Sequence, residues 1–488
     1  MRYVMAIDQG TSSSRVVIFD DQGRDLGAVQ HEIDTIFPQN GWVEQDPEVL
    51  WEATLSAGRE VLAQTGLTGA DIAAIGITNQ RETTLVWDRD SGKCLHNAIV
   101  WQDRRTAALC AQMRKDGLAQ FVAKTTGLVI DPYFSGSKLA WLLREVSALQ
   151  PARTCFGTVD SYLIWRLTKG TRHVTDATNA SRTMLFDISQ QCWQQTLLDY
   201  FSIPQEMLPE VLDSNAEFGI ADHEWFGAAI PIVGVAGDQQ AALLGQACFA
   251  PGMAKSTYGT GCFTMINTGA RQLTSTQQLL TTVAYRIDGQ TTYALEGSIF
   301  SAGVAVKWLR DQLGLITSAA ETEAAATRTA GDTGGVYLVP AFTGLGAPHW
   351  APDARGLLTG LTLATNRDQL ITATLASVAY QSADLVAAMT ADGAVLERLR
   401  VDGGMVVNDW LCQFLADVMA LPVERPVNTE TTALGAAILA SLGIGLIDDL
   451  ASAQSMWRLD REFTPSMPDA ERKRLLTGWN QAVAKALE

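Results

Sequence analysis

Apolar residues fall in short runs separated by glycine- and hydroxyl-rich breaks, a pattern that predicts strands joined by tight turns. Val4 to Ile7 reads as a strand, Asp8-Gln9-Gly10-Thr11-Ser12-Ser13-Ser14-Arg15 as a small-residue turn, and Val16 to Phe19 as a second strand. Asp20-Asp21-Gln22-Gly23 then turns the chain again, so the segment predicts a β-hairpin. Half the chain later the pattern returns. Met253 to Thr257 leads into Tyr258-Gly259-Thr260-Gly261, and Cys262 to Ile266 leads out to Asn267-Thr268-Gly269, which puts Gly10-Thr11 and Gly259-Thr260 in register. A repeat of that period predicts two similarly built domains. Gly245-Gln246 and Pro251-Gly252 punctuate the junction, so the expected domains are residues 1–247 and 248–488.

Helices alternate with these strands. Asp46 and Pro47 supply an N-cap and a first-turn proline for a helix reaching about Gln64, with Gly66 just beyond. Ile72 to Thr78 and Pro231 to Ala236 read as strands, the latter ending at Gly237-Asp238 before a helix that begins at Gln239. Leu399 to Val401 is a strand, Asp402-Gly403-Gly404 a turn, and Asn408 to Ala420 a helix. The fold class is α/β. The apolar run from Leu434 to Ile447 contains glycines and is too short to span a bilayer, which predicts a buried helix and no integral membrane segment.

Composition narrows the reading. With 488 residues, 47% of them hydrophobic and 18% charged, the chain can bury two cores. A net charge of −17 argues against a nucleic-acid or anionic-membrane partner. It also requires that any nucleotide phosphate be held by backbone N–H groups, a helix N-terminus and a metal ion. Seven cysteines without a CxxC pair read as reduced thiols in a cytoplasmic protein. His31, His96, His173, His223 and His349 show no metal-ligand spacing and read as surface or structural residues.

Candidate chemistry sits at the turns. The tip Gly10, Thr11, Ser12 and Ser13 offers N–H groups and hydroxyls to phosphate oxygens, Asp8 beside it can hold Mg²⁺ through water, and Arg15 adds a cation. An ordinary polar turn capped by an aspartate would look the same. Gly259, Thr260 and Gly261 make a like offer, and Asp402-Gly403-Gly404 opens a helix where Asn408 can reach a base or ribose. No GxxxxGK[ST] motif occurs, which excludes a P-loop kinase. Arg81 and Glu82, between two apolar strands, can bond vicinal hydroxyls jointly, although a surface ion pair fits the same letters. Asp238 closes an apolar run, where desolvation lifts its pKa toward the range of a base, and it can cap a helix at the same time. Trp101 can wall a substrate pocket.

These segments resemble the glycerol kinases, in the FGGY sugar-kinase family. The likeness is carried by AIDQGTSSSR (6–15), ITNQRETT (77–84), WQDRR (101–105), GDQQAALLGQ (237–246), STYGTGCF (256–263), EGSIFSAGVAVKWLRD (296–311) and VDGGMVVNDWLCQFLAD (401–417). The resemblance implies two actin-like, ribonuclease H-like ATPase domains with a cleft between them, ATP and Mg²⁺ as cofactors, glycerol as substrate and a homodimer or homotetramer. It further implies that Arg81, Glu82, Tyr133, Asp238 and Gln239 bond glycerol hydroxyls while Trp101 and Phe263 pack its carbons. Asp238 would be the general base, and Asp8 would position Mg²⁺, with Asp238 also near the metal. Thr11, Ser12, Ser13, Arg15, Thr260 and Gly303 would hold phosphates, and Gly404 and Asn408 would line the adenosine site. Lys307 stands where many members carry glutamine near the nucleotide, and Ala376 replaces an acid usual in the family signature. Two rivals remain at this stage: a kinase for another polyol or a ketose, and a nucleotide-driven module of the actin or chaperone kind.

Overall fold

Two open sheets organise the chain in a computed structural model that describes residues 2–351 and 353–488. In the first, strand Tyr3–Gln9 pairs antiparallel with Ser13–Phe19, which pairs with Asp25–Glu32. On its other edge Tyr3–Gln9 runs parallel to Ile72–Asn79, which runs parallel to Ile230–Gly237, and Glu217–Ala221 closes the edge antiparallel. The second sheet repeats this order. Ala254–Tyr258 lies between Cys262–Gly269 and Leu399–Asp402, with Val423–Pro426 and Leu459–Phe463 beyond on one side and Gln290–Ile299 and Leu280–Ile287 on the other. Each half is a mixed sheet in which antiparallel strands, three in the first and four in the second, are followed by parallel ones and a last antiparallel edge strand, the doubled architecture expected from the repeated hairpin.

Both hairpins form as expected, but the first is tighter than the sequence suggests. Pairing continues to Gln9↔Ser14, so Asp8 and Arg15 are cross-strand neighbours rather than turn residues, and the free tip is Gly10 to Ser12. Helix Pro47–Thr65 carries the predicted caps: Asp46 accepts from the Glu48 N–H at 2.9 Å, and Gly66 adopts φ 71°. The other two helices shift by a residue. Asp238 is the first residue of helix Asp238–Gly245 rather than its N-cap, which is Gly237, and its carboxylate accepts from the Gln239 N–H at 2.7 Å. Asn408 is not inside a helix but caps Asp409–Met419, accepting from the Leu411 N–H at 2.9 Å.

The apolar run near Leu434 becomes helix Thr431–Gly443, buried along most of its length. Although it lies within residues 248–488, it packs against the first sheet, where Ala433, Ala436, Ala437 and Ala440 meet Val4, Ala6, Val17 and Ala74. Small residues permit the approach. A Cβ on Gly76 would lie 2.3 Å from the Ala436 carbonyl oxygen, and one on Gly435 would lie 1.8 Å from that of Ala241. Helix Arg367–Ala391, where Ala376 sits wholly buried, is long and apolar enough to cross a membrane by length and composition, but 78% of its apolar window is buried in the second core.

Candidate active site

The parallel strands of the first sheet end together, and their ends supply Asp8, the segment from Asn79 to Glu82, and Asp238. Loops beyond the carboxyl ends of parallel strands are where this class of sheet receives ligands. Arg81 and Glu82 are no surface pair: they are 2% and 1% exposed. The Arg81 guanidinium donates to both oxygens of Glu296, at 2.5 and 2.8 Å, and to the Tyr133 hydroxyl at 3.2 Å. Its Nε lies 3.2 Å from Asp238 and 3.7 Å from Glu82. Arg182, also buried, closes the ring by donating to Glu82 at 2.7 Å and to Glu296 at 3.1 Å.

This ring changes the role expected of Arg81. Most of its donors are spent on Glu296, Gln240 and Tyr133, so it is tied into the buried ring before any ligand arrives. Burial alone would raise the pKa of Glu296, but Arg182 and Arg81 bring it down to about 2. Sequence reading missed Glu296 and Arg182. The available signal was a lone acid in the apolar strand Tyr293 to Ile299, which is costly unless paired.

Around the ring stand the aromatic side chains. Trp101 is 5.5 Å from Tyr133 and 6.3 Å from Phe263, centroid to centroid, both edge-on. The Trp101 indole donates to the Thr11 hydroxyl at 2.8 Å, joining this wall to the hairpin tip. Glutamines brace the tip from beneath: Gln45 donates to the Thr11 carbonyl, and Gln80 donates to Gln45 at 2.9 Å. Ser12 is exposed, while the Ser13 hydroxyl accepts from Gln30 at 3.0 Å.

Two carboxylates flank the tip. Burial pushes Asp8 up to about 7, reinforced by Asp238 and Glu430 and opposed by Arg15. Burial also raises Asp238, against the pull of Arg81. Arg15 is engaged by Glu430 at 2.6 Å, so its charge is shared before any phosphate arrives. Hard carboxylate oxygens short of positive charge suit a divalent cation such as Mg²⁺.

On the second sheet the tip residues Gly259 and Thr260 are exposed, and Gly303 opens helix Gly303–Asp311 against them. Lys307 is exposed on that helix. Gly403 takes φ 89° beneath Gly404, whose Cβ position is open space. Asn408 is less free than expected, because its amide also donates to Thr322 at 3.3 Å. The structure thus gathers Asp8, Thr11, Arg81, Glu82, Trp101, Tyr133, Asp238, Gln239 and Phe263 into one linked cluster. It sets Thr260, Gly303, Gly404, Asn408 and Lys307 on the second sheet's loops and helix ends.

This architecture and site define the class: the chain belongs to the FGGY family of carbohydrate kinases. Residues 3–245 match the family's N-terminal domain and residues 254–444 its C-terminal domain. The chain is 56% identical over 487 residues to glycerol kinase 1 of Pseudomonas aeruginosa, covering 99% of this chain and 98% of that one. It is 54% identical over 485 residues to the glycerol kinase of Marinomonas sp., covering 99% and 98%. The crystal structure of Plasmodium falciparum glycerol kinase with ADP matches at a TM-score of 0.93 and 37% identity, over 100% of this chain and 99% of that one. A ligand-bound xylulose kinase from Lactobacillus acidophilus, at TM-score 0.90 and 22% identity over 100% and 98%, shares the fold.

Proposed function

We propose that the chain is a glycerol kinase, moving the γ-phosphoryl group of ATP to glycerol and yielding sn-glycerol 3-phosphate and ADP. The observation that carries this reading is Asp238, set at the end of an apolar strand 3.2 Å from Arg81 and beside the Gln239 that follows it. A carboxylate whose pKa is raised by burial is a better proton acceptor near neutrality than an ordinary aspartate. Asp238 takes the proton of the attacking hydroxyl as its oxygen bonds to the γ-phosphorus, and ADP departs with the electrons of the broken P–O bond. Glu82 and Gln239 hold the hydroxyls together with Arg81 and Tyr133, and Trp101 and Phe263 exclude water from the carbon chain. Full relatives named for glycerol, at 56% and 54% identity, support the same substrate.

Asp8, with Asp238 beside it, would hold Mg²⁺, and the bound ion would neutralise phosphate charge during transfer. Thr11, Ser12, Ser13 and Arg15 would bind phosphates from residues 1–247, and Thr260, Gly303 and Lys307 from residues 248–488. Gly404 and the region of Asn408 would line the adenosine site. The enzyme would work in the cytoplasm as a homodimer or homotetramer. Measuring ADP release with and without glycerol, and then with dihydroxyacetone, erythritol and xylulose, tests the reading. Strong release with glycerol alone among larger polyols is expected; release independent of any polyol would overturn it.

A further inference from the structure

Lys255 is the second residue of the central strand Ala254–Tyr258 of the second sheet and is wholly buried. A buried lysine is expensive unless its ammonium is matched. Here burial lowers its pKa, opposed by Asp402, Asp238 and Glu296. Its direct partners are fewer: it donates to Gln239 Oε1, to the Thr257 hydroxyl at 3.0 Å and to the Phe263 carbonyl at 3.5 Å. Each belongs to, or lies beside, a residue of the candidate glycerol pocket.

The first partner decides an orientation. An ammonium has three donors and no lone pair, so only the carbonyl oxygen of the Gln239 amide can face it. The Gln239 NH₂ must then point away from Lys255, and it makes no hydrogen bond among the described residues. Gln239 is 8% exposed, yet its Nε2 is not one of the fully buried atoms left without a partner, so the free NH₂ reaches the surface beside Asp238. A free donor of fixed direction beside Asp238 is what reading a hydroxyl oxygen requires.

We propose that Lys255 is a positioning residue that locks the Gln239 amide with its NH₂ toward the substrate, so that Gln239 donates to a hydroxyl oxygen of glycerol. The lock spans the two halves of the chain, because Lys255 stands on the second sheet and Gln239 on helix Asp238–Gly245, which follows the first sheet's strand Ile230–Gly237. The inference rests on the glycerol reading above.

Steady-state kinetics with purified full-length protein test it. Glycerol-dependent ADP release by the parent enzyme comes first, and its absence would sink the glycerol reading itself. Given an active parent, Lys255→Met leaves the amide free to flip and is expected to raise the KM for glycerol roughly 3–10-fold with the KM for ATP unmoved, the scale of one neutral hydrogen bond. In a Gln239→Ala background the same change should alter the glycerol KM less than about 2-fold, since nothing remains to orient. Equal effects in both backgrounds would overturn the lock. Should Lys255→Met not fold, Gln239→Glu decides. It keeps the acceptor for Lys255 but has no NH₂, so the glycerol KM should rise roughly tenfold; an unmoved KM would show that the substrate meets an acceptor at this position, and the proposal falls.

Discussion

The two hairpin tips share a topology and differ in what anchors them. At Gly10 to Ser12 side chains add to the backbone: beside the Gly10 N–H to Ser13 carbonyl and Ile33 N–H to Ser12 carbonyl bonds, both 2.9 Å, Gln45 and Trp101 donate to Thr11 and Gln80 braces Gln45. At Gly259 to Gly261 the backbone does the anchoring. The Gly259 N–H donates to the Gly261 carbonyl at 2.9 Å, the Gly303 N–H to the Gly259 carbonyl at 3.0 Å, and the Val304 N–H to the Thr260 carbonyl at 3.1 Å. In the proposed reading the first tip stands over hydroxyl-reading groups that need fixed positions, and side-chain networks give that rigidity. The second, in the same reading, would meet a nucleotide that needs close backbone approach, and glycines give that access. Substitutions therefore sort by side. Trimming a side chain should hurt the first half most, whereas adding one should hurt the second.

The largest effect is expected at the proposed base. Asp238→Asn keeps shape and burial but cannot take a proton, so kcat should fall roughly 10²–10⁴-fold. A kcat within a few-fold of the parent would assign the base elsewhere.

Arg81→Ala cuts the buried ring. It removes a charge-assisted contact to the pocket and leaves Glu296 with Arg182 alone. Losing one partner of a buried pair costs about 3–5 kcal/mol of stability, and the glycerol KM should rise roughly 10–150-fold. Both a lower unfolding temperature and the raised KM are expected together. A raised KM at unchanged stability would mean that Glu296 is satisfied without Arg81.

Gly303→Ala probes the opposite wall by addition. Its Cβ would lie 2.6 Å from the Gly259 carbonyl oxygen, so the tip must move. Overpacking of this kind costs about 1–3 kcal/mol, and an ATP KM raised roughly tenfold with the glycerol KM unmoved is the expected reading. Equal changes in both constants would show that the two tips move as one.

Asp8 sharpens the contrast through pH. Its pKa rises on folding from 3.8 to about 7, so the fold binds its proton more tightly than the unfolded chain does. The stability it contributes is fully present below pH 3.8 and is lost as pH rises through about 7. With no metal or nucleotide bound, Asp8→Asn should therefore raise the unfolding temperature by a few degrees at pH 8 and leave it unchanged at pH 4. A scan at the two pH values checks the sign, and a drop at pH 8 would mean that the carboxylate is stabilised by its surroundings.

Local pattern made much of this legible. Both hairpins, helix Pro47–Thr65 and the buried helix near Leu434 follow from periodicity and caps, because their causes lie within a few residues. The ring does not, since Arg81 meets Glu296 at a separation of 215 residues. A lone buried charge such as Glu296 or Lys255 announces that a partner exists without saying where. The seat of helix Thr431–Gly443 on the first sheet is hidden for the same reason: its glycines and alanines indicate close packing and not against which surface. Asn408 shows a different limit, for one residue type serves equally as a cap and as a ligand contact.

The smallest effect is expected at Lys307. It lies on the exposed side of helix Gly303–Asp311, one turn from the N-terminus that faces the Gly259 tip, and its charge bears on Asp311 four residues later. An exposed lysine near a phosphate acts through a screened charge, worth about 0.2–1 kcal/mol. Lys307→Gln should thus raise the ATP KM only about 1.5–5-fold at low salt, by the same scale. The difference should shrink as ionic strength rises, because the Debye length falls to about 8 Å at 0.15 M. The glycerol KM should not change, as the hydrogen bonds of the Arg81–Glu296 ring do not run to this helix. An ATP KM indifferent to both the substitution and salt would place the Lys307 ammonium away from the phosphates and leave the second tip held, as its backbone bonds suggest, without a side-chain cation.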